Sequence, residues 1–207
     1  MPWFHGVLAW ALLRLAAGYA SASAFICIAA ARPVAADDPR RPAVAAITYA
    51  GVGAGIALTG LACLALMAAG ADANGNWTAL GILTLGLSAL AWPRLSRADA
   101  KAHLGTVAAP ARLPPGIGRL AWHYGIFGAG YIIPATFLPA MAREIVPDPA
   151  VFGWAWPLFG LAAALSCLLA PRVAQALDDK AVWRGAQAVM ALGILAVAIW
   201  HTLAAVI

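Results

Sequence analysis

Charge is scarce in this chain. Asp, Glu, Lys and Arg make up 10% of 207 residues, while 64% are hydrophobic. A soluble domain carries about 25% charged and roughly 45–50% apolar residues. Thirteen basic and eight acidic side chains are too few to solvate a globule of this length, so lipid is the solvent that fits. Acid is absent where a proton relay would need it: no Asp or Glu lies deep in an apolar stretch. Cysteine is limited to Cys27, Cys63 and Cys167, far apart and each inside an apolar run. That spacing excludes a disulfide framework and any familiar metal-ligand pattern. His-Glu-x-x-His, Gly-x-Ser-x-Gly and Walker-type runs are missing, which removes the enzyme classes they serve. No cofactor is implied. The opening segment MPWFHG has no Lys or Arg, so it makes a poor secretory signal.

What is present is greasy sequence in long runs. A helix crossing a bilayer needs about 20 mostly apolar residues. Six stretches meet or approach that: Phe4–Ala31, Ala43–Ala69, Trp77–Trp92, Gly118–Ala142, Val151–Val173 and Val182–Ile207. The third holds only 16 residues, so its ends are expected to extend. None alternates apolar with polar residues as a membrane barrel would. Backbone groups in lipid must bond internally, so the runs read as helices. The fold class is therefore all-α, with six transmembrane helices.

Between the runs lie clusters of Pro, Gly and Asp. Examples are Pro33 to Pro39, Asp72 to Asn76, Pro93 to Pro115, Pro147 to Pro149 and Asp178 to Lys180. The first, third and fifth connections hold eleven of the Lys and Arg residues, and the second and fourth hold only Arg143. The positive-inside rule places the odd connections in the cytoplasm and both termini outside. The charge of +5 thus reports topology. No basic stripe with interleaved aromatics points to nucleic acid. Trp3, Trp77, Trp92, Trp122 and Trp200 fall near helix ends, where interfacial aromatics collect.

Arg14 is the exception inside a span. It lies near mid-helix, where an Arg costs about 2.5–3.5 kcal/mol on insertion scales. Gly18 and Ser21 follow at helical spacing, making a small, polar face beside it. Arg14 is either a cavity-lining charge or a structural Arg held by carbonyls of a neighbouring helix. In the fourth stretch Tyr124, Phe127 and Tyr131 share a face, and Pro134 interrupts the bonding ladder one turn on. Such a face either borders a cavity or packs against another helix. His123, Trp154 and Trp156 sit at span ends and read as interfacial anchors. Gly51 and Gly55 form a small-xxx-small pair and are expected to pack helices.

Two stretches resemble a known family. One runs from His123-Tyr124-Gly125-Ile126-Phe127-Gly128 through Pro134-Ala135-Thr136-Phe137-Leu138-Pro139 to Phe152-Gly153-Trp154-Ala155-Trp156-Pro157. The other is Leu13-Arg14-Leu15-Ala16-Ala17-Gly18, followed by Gly51-Val52-Gly53-Ala54-Gly55. Together they resemble the YbfB/YjiJ branch of the major facilitator superfamily. The resemblance implies secondary transport of a small solute by twelve helices in two halves, of which these look like the fourth to the ninth. It implies a partial major-facilitator fold in a bacterial inner membrane. Residues 1–92 would form one three-helix bundle, 93–117 a cytoplasmic linker and 118–207 a second three-helix bundle. Arg14 and Gly18 match the fourth-helix motif whose Arg is implicated in proton coupling. Tyr131 falls on the helix matching the seventh, which lines the central cavity. The antiporter motif's Pro is lacking on the second stretch. The rival reading is a non-transporting membrane segment, packing with complementary helices or a second copy.

Overall fold

A computed structural model describes residues 6–30, 34, 37–99, 115–145 and 153–199. Among these residues the only regular elements are helices. There are six: α1 (Val7–Ala30), α2 (Arg41–Ala68), α3 (Ala73–Asp99), α4 (Ile117–Ile145), α5 (Ala155–Ala176) and α6 (Asp179–Ile199). Each expected stretch overlaps one of them. Three, Val7–Ala29, Arg41–Ala68 and Ala155–Ala176, are long and apolar enough to cross a bilayer. Trp3, Trp200, Arg32 and the 100–114 portion of the expected linker lie outside the described residues.

The helix ends follow from local chemistry. Pro42 sits at the start of α2, where its missing N–H costs no bond. Asp38 precedes that start: its Oδ1 accepts from the Arg40 amide at 2.8 Å, and its main-chain oxygen accepts from the Arg41 amide at 3.0 Å. The α2 C-terminus closes with Gly70 N–H bonded to the Met67 carbonyl and Ala71 N–H to the Leu66 carbonyl, both at 2.9 Å. This pair of bonds is a Schellman motif, and Gly70 supplies the left-handed φ of +82° that it requires. Asp72 then caps α3, its Oδ1 accepting from the Gly75 amide at 2.7 Å. Asp178 does the same for α6, accepting from the Ala181 amide at 2.6 Å. The acidic residues Asp38, Asp72 and Asp178 thus hold free N–H groups at helix starts.

The third helix is longer than its apolar run. It spans 27 residues and passes through Pro93 to Asp99, seven residues beyond Trp92 into what reads from sequence as the linker. A membrane-length criterion stops where polarity rises, but Arg94, Leu95, Arg97 and Ala98 are good helix formers, and the backbone continues. Hydroxyls within the helices bond their own turns. Thr48 donates to the Val44 carbonyl and Thr59 to the Gly55 carbonyl, each at 2.8 Å. Internal bonding of this kind suits a chain in lipid.

The chain clusters into two units, Met1–Arg41 with Ala65–Ala108, and Pro42–Leu64 with Ala109–Ile207. The first carries α1, α3 and the last turn of α2. The second carries most of α2 with α4, α5 and α6. Its tightest packing is between α2 and α5. The buried residues there are all small or compact: Ala46, Ala50, Gly53 and Gly60 on α2, and Pro157 and Gly160 on α5. The register is antiparallel, with Gly53 against Ala164, Ala57 against Gly160, Gly60 against Pro157 and Leu64 against Gly153. Side chains this small bring the backbones into direct contact, as close-packed membrane helices require.

Candidate functional site

Arg14 lies on α1 in the first unit, and its side chain is exposed. No ion pair among the described residues involves it. Gly18 and Ser21, one and two turns on, are also exposed, and a β-carbon on Gly18 would meet nothing within 4 Å. Over this part of α1 the face is open, narrow in side-chain volume and carries one permanent positive charge.

The other expected site residues lie on α4 in the second unit. Tyr124 stacks on Phe127 with centroids 6.3 Å apart, and both rings meet Trp183 of α6, at 6.3 and 5.5 Å. Tyr131 meets Phe159 of α5 at 5.9 Å, and Phe159 packs edge-on against Trp156 at 5.9 Å. Offset and edge-on rings at these separations attract one another. The aromatic face read on α4 therefore continues onto both neighbours, as two clusters along one helix. Gly130, on the same side, receives the Met190 methyl of α6: a β-carbon there would come within 2.8 Å of it. Position 134 is within α4.

Tyr124 and Tyr131 remain 54% and 41% exposed, so each has one edge in an aromatic cluster and one free. Trp183 and Phe159 were missed from sequence, though a signal was present. Trp183 and Met190 are seven residues apart on α6, and Phe159 stands three after Trp156; both spacings place the pair on one helix face.

Among the described residues, the glycines of α2 in contact with another helix are Gly53 and Gly60. Gly51 and Gly55 have nothing within 4 Å of a built β-carbon, while Gly53 and Gly60 are pressed against α5. The run from Ala50 to Ala57 is small at almost every position. Sequence alone therefore shows that α2 can be approached closely, but not on which side. The partner signal was Gly160 and Ala164, a small-xxx-small pair matching Gly53 and Ala57.

A family model described as "Uncharacterised MFS-type transporter YbfB" matches residues 1–207, the whole chain. The chain belongs to this family. No curated protein and no solved structure matches it. The match agrees with the resemblance carried by the α1 and α4–α5 motifs. As an MFS-type transporter chain, with three helices able to span a bilayer, the protein is a membrane protein of the transport class.

Proposed function

We propose that the chain forms part of the solute pathway of a secondary active transporter in a bacterial inner (plasma) membrane. All six helices would cross the bilayer, with α1–α3 and α4–α6 as two bundles that rock about a solute held between them. The connections rich in Lys and Arg would lie in the cytoplasm, and both termini outside. The observation that carries this reading is Arg14: a permanent charge at mid-helix, on a small and polar face, in a chain of the MFS-type transporter family. An intramembrane charge is expensive enough that function is its default explanation.

In this reading Arg14, Gly18 and Ser21 are the pathway residues of α1, and Tyr124, Phe127, Tyr131 and Pro134 those of α4. Pro134 leaves the Gly130 carbonyl without its ladder partner, which eases bending. The Arg14–Gly18 pair supports proton coupling, by resemblance to the fourth-helix motif. The crossing of Gly53 with Gly160 joins a helix of each proposed bundle. Glycine contacts let backbones slide without side chains interlocking.

Solute-driven proton movement in vesicles tests the reading, followed with an internal pH dye across a panel of small metabolites. Arg14→Gln should cut any response at least ten-fold, while Arg14→Lys keeps part of it. A response indifferent to Arg14 counts against the pathway. So does the absence of any response across the panel, which favours a non-transporting segment that packs with other helices.

A further inference from the structure

Within the second unit, α4 and α6 run side by side in the same direction. Trp183 of α6 meets Tyr124 and Phe127 of α4, and further along both helices the Met190 methyl meets Gly130. Both helices therefore start at the same end of the unit. Arg119 stands five residues before Tyr124, and Lys180 three before Trp183, so the two lie within about one turn of each other along the pair.

The polar residues at that end share one flank. A helix turns about 100° per residue. On α4 the contact with α6 is centred on Phe127, and Arg119 and His123 fall about 80° and 40° to one side of it. On α6 the contact is centred on Trp183 and Met190, and Lys180, Arg184 and Gln187 fall about 60°, 100° and 40° round from Trp183. The two rotations are opposite in sense, and because the helices face each other, both sets arrive on the same side of the pair. Tyr131, which meets Phe159 of α5, falls on the other side of α4.

This flank is cationic and open. Arg119, His123, Lys180 and Arg184 are exposed, and Gln187 is half-buried. No ion pair among the described residues involves Arg119, Lys180 or Arg184. The Arg184 Nε donates to the Lys180 carbonyl at 3.2 Å, which steadies the guanidinium and leaves its two terminal nitrogens for an anion. The neighbouring acids do not cancel this charge. Asp178 accepts from the Ala181 amide at 2.6 Å, and Asp179, four residues before Trp183, falls to the other side of the contact. Deeper along the same flank the side chains turn aliphatic: Ile126 and Ile133 on α4 and Leu195 on α6 are all exposed. Cations at the helix starts, an indole one turn in and bare aliphatic surface beyond follow the order of phosphate, glycerol and acyl chain in a phospholipid.

We infer that this flank of α4 and α6 holds an anionic phospholipid, its phosphate against Arg119, Lys180 and Arg184 and an acyl chain along Ile126, Ile133 and Leu195. The inference rests on the reading that these helices cross the bilayer, and it does not depend on transport. Guanidinium and ammonium groups both bond phosphate oxygens strongly. Cations drawn from two helices favour a headgroup of net negative charge over a zwitterionic one.

The test uses the full chain purified in a neutral detergent, with lipid binding counted by native mass spectrometry. Phosphatidylglycerol is compared with phosphatidylcholine of the same acyl chains. The parent should bind phosphatidylglycerol at least about ten-fold more tightly, since each nearby cation is worth about a five-fold gain. Arg119→Gln and Arg184→Gln should each lose about five-fold, and the triple change with Lys180→Gln should abolish the preference. Replacing all three with the other basic residue, Lys for Arg and Arg for Lys, should keep it within a few-fold. Arg94→Gln, Arg97→Gln and Arg172→Gln together remove the same charge from other places and should leave the preference standing. The unfolding midpoint without lipid should be the same for parent and variants, so that lost binding is not lost folding. Equal affinity for the two lipids, a preference that survives the triple change, or an equal loss in the control variant overturns the inference. So does inorganic phosphate that displaces phosphatidylglycerol at millimolar concentration, which would make this a site for a free anion. A reporter after Lys180 found outside the cytoplasm would remove the proposed topology and leave the headgroup preference in detergent intact. Loss of the preference would leave that topology intact.

Discussion

Gly53 and Gly160 face each other's carbonyl oxygens across the α2–α5 crossing. A β-carbon on either residue would stand 2.7 Å from the oxygen of the other. The obstacle is backbone on both sides, so no rotamer change relieves it. Gly53→Ala or Gly160→Ala should therefore force the helices apart, at about 1–3 kcal/mol as for other overpacked sites. Gly51→Ala and Gly55→Ala, two residues away in open space, should leave stability unchanged or raise it, since Ala exceeds Gly in helix preference by about 0.8–1.0 kcal/mol. Thermal unfolding in detergent reads both pairs. The opposite order would mean that α2 packs through its other face.

This contrast marks how far the sequence could be read. The six helices were legible because apolar runs of membrane length leave the backbone one choice. The capping acids were visible only as residues of the connections, since a bond such as that from the Ala181 amide to Asp178 depends on where the helix begins. The packing glycines were not legible, because a run of small residues has no periodic contrast. The aromatic partners on α5 and α6 were hidden for another reason: contact between helices depends on rotation about each axis, which composition does not fix. Arg14 was legible because charge in an apolar run is costly wherever the helix sits.

Gly70 ends α2 in a conformation that other residues resist. Its φ of +82° lies where an L side chain costs roughly 1–2 kcal/mol. Gly70→Ala should lower the unfolding midpoint accordingly, and Gly70→Asn should cost less, because Asn tolerates the left-handed region. Equal loss for both would point away from backbone conformation as the cause.

Asp38 should confer acid sensitivity on the connection between α1 and α2. Its bonds from the Arg40 guanidinium at 2.8 and 3.1 Å, and then from the Arg40 amide, hold its carboxyl below the ordinary aspartate range. A carboxyl whose folded value is lowered stabilises the fold above its unfolded value. That contribution is lost as pH falls from there through the folded value. Asp38→Asn should be less stable than the parent near neutrality and converge with it in acid. A gap that widens on acidification would contradict the assignment.

Trp183 ties α6 to α4 through two rings. Trp183→Ala removes contacts with Tyr124 and Phe127, each worth roughly 0.5–1.5 kcal/mol beyond buried area, so a clear drop in midpoint is expected. Trp183→Phe should recover much of it. If both variants behave alike, the indole contributes as an interfacial anchor, not through the cluster.

Arrangement across the bilayer decides the account most directly. Compartment-specific reporters fused after Asp72, Lys101 and Lys180 would record which side each connection occupies. The expected result is Asp72 outside the cytoplasm, with Lys101 and Lys180 both inside it. Asp72 and Lys101 on the same side would remove the α3 crossing, and with it the six-span transporter.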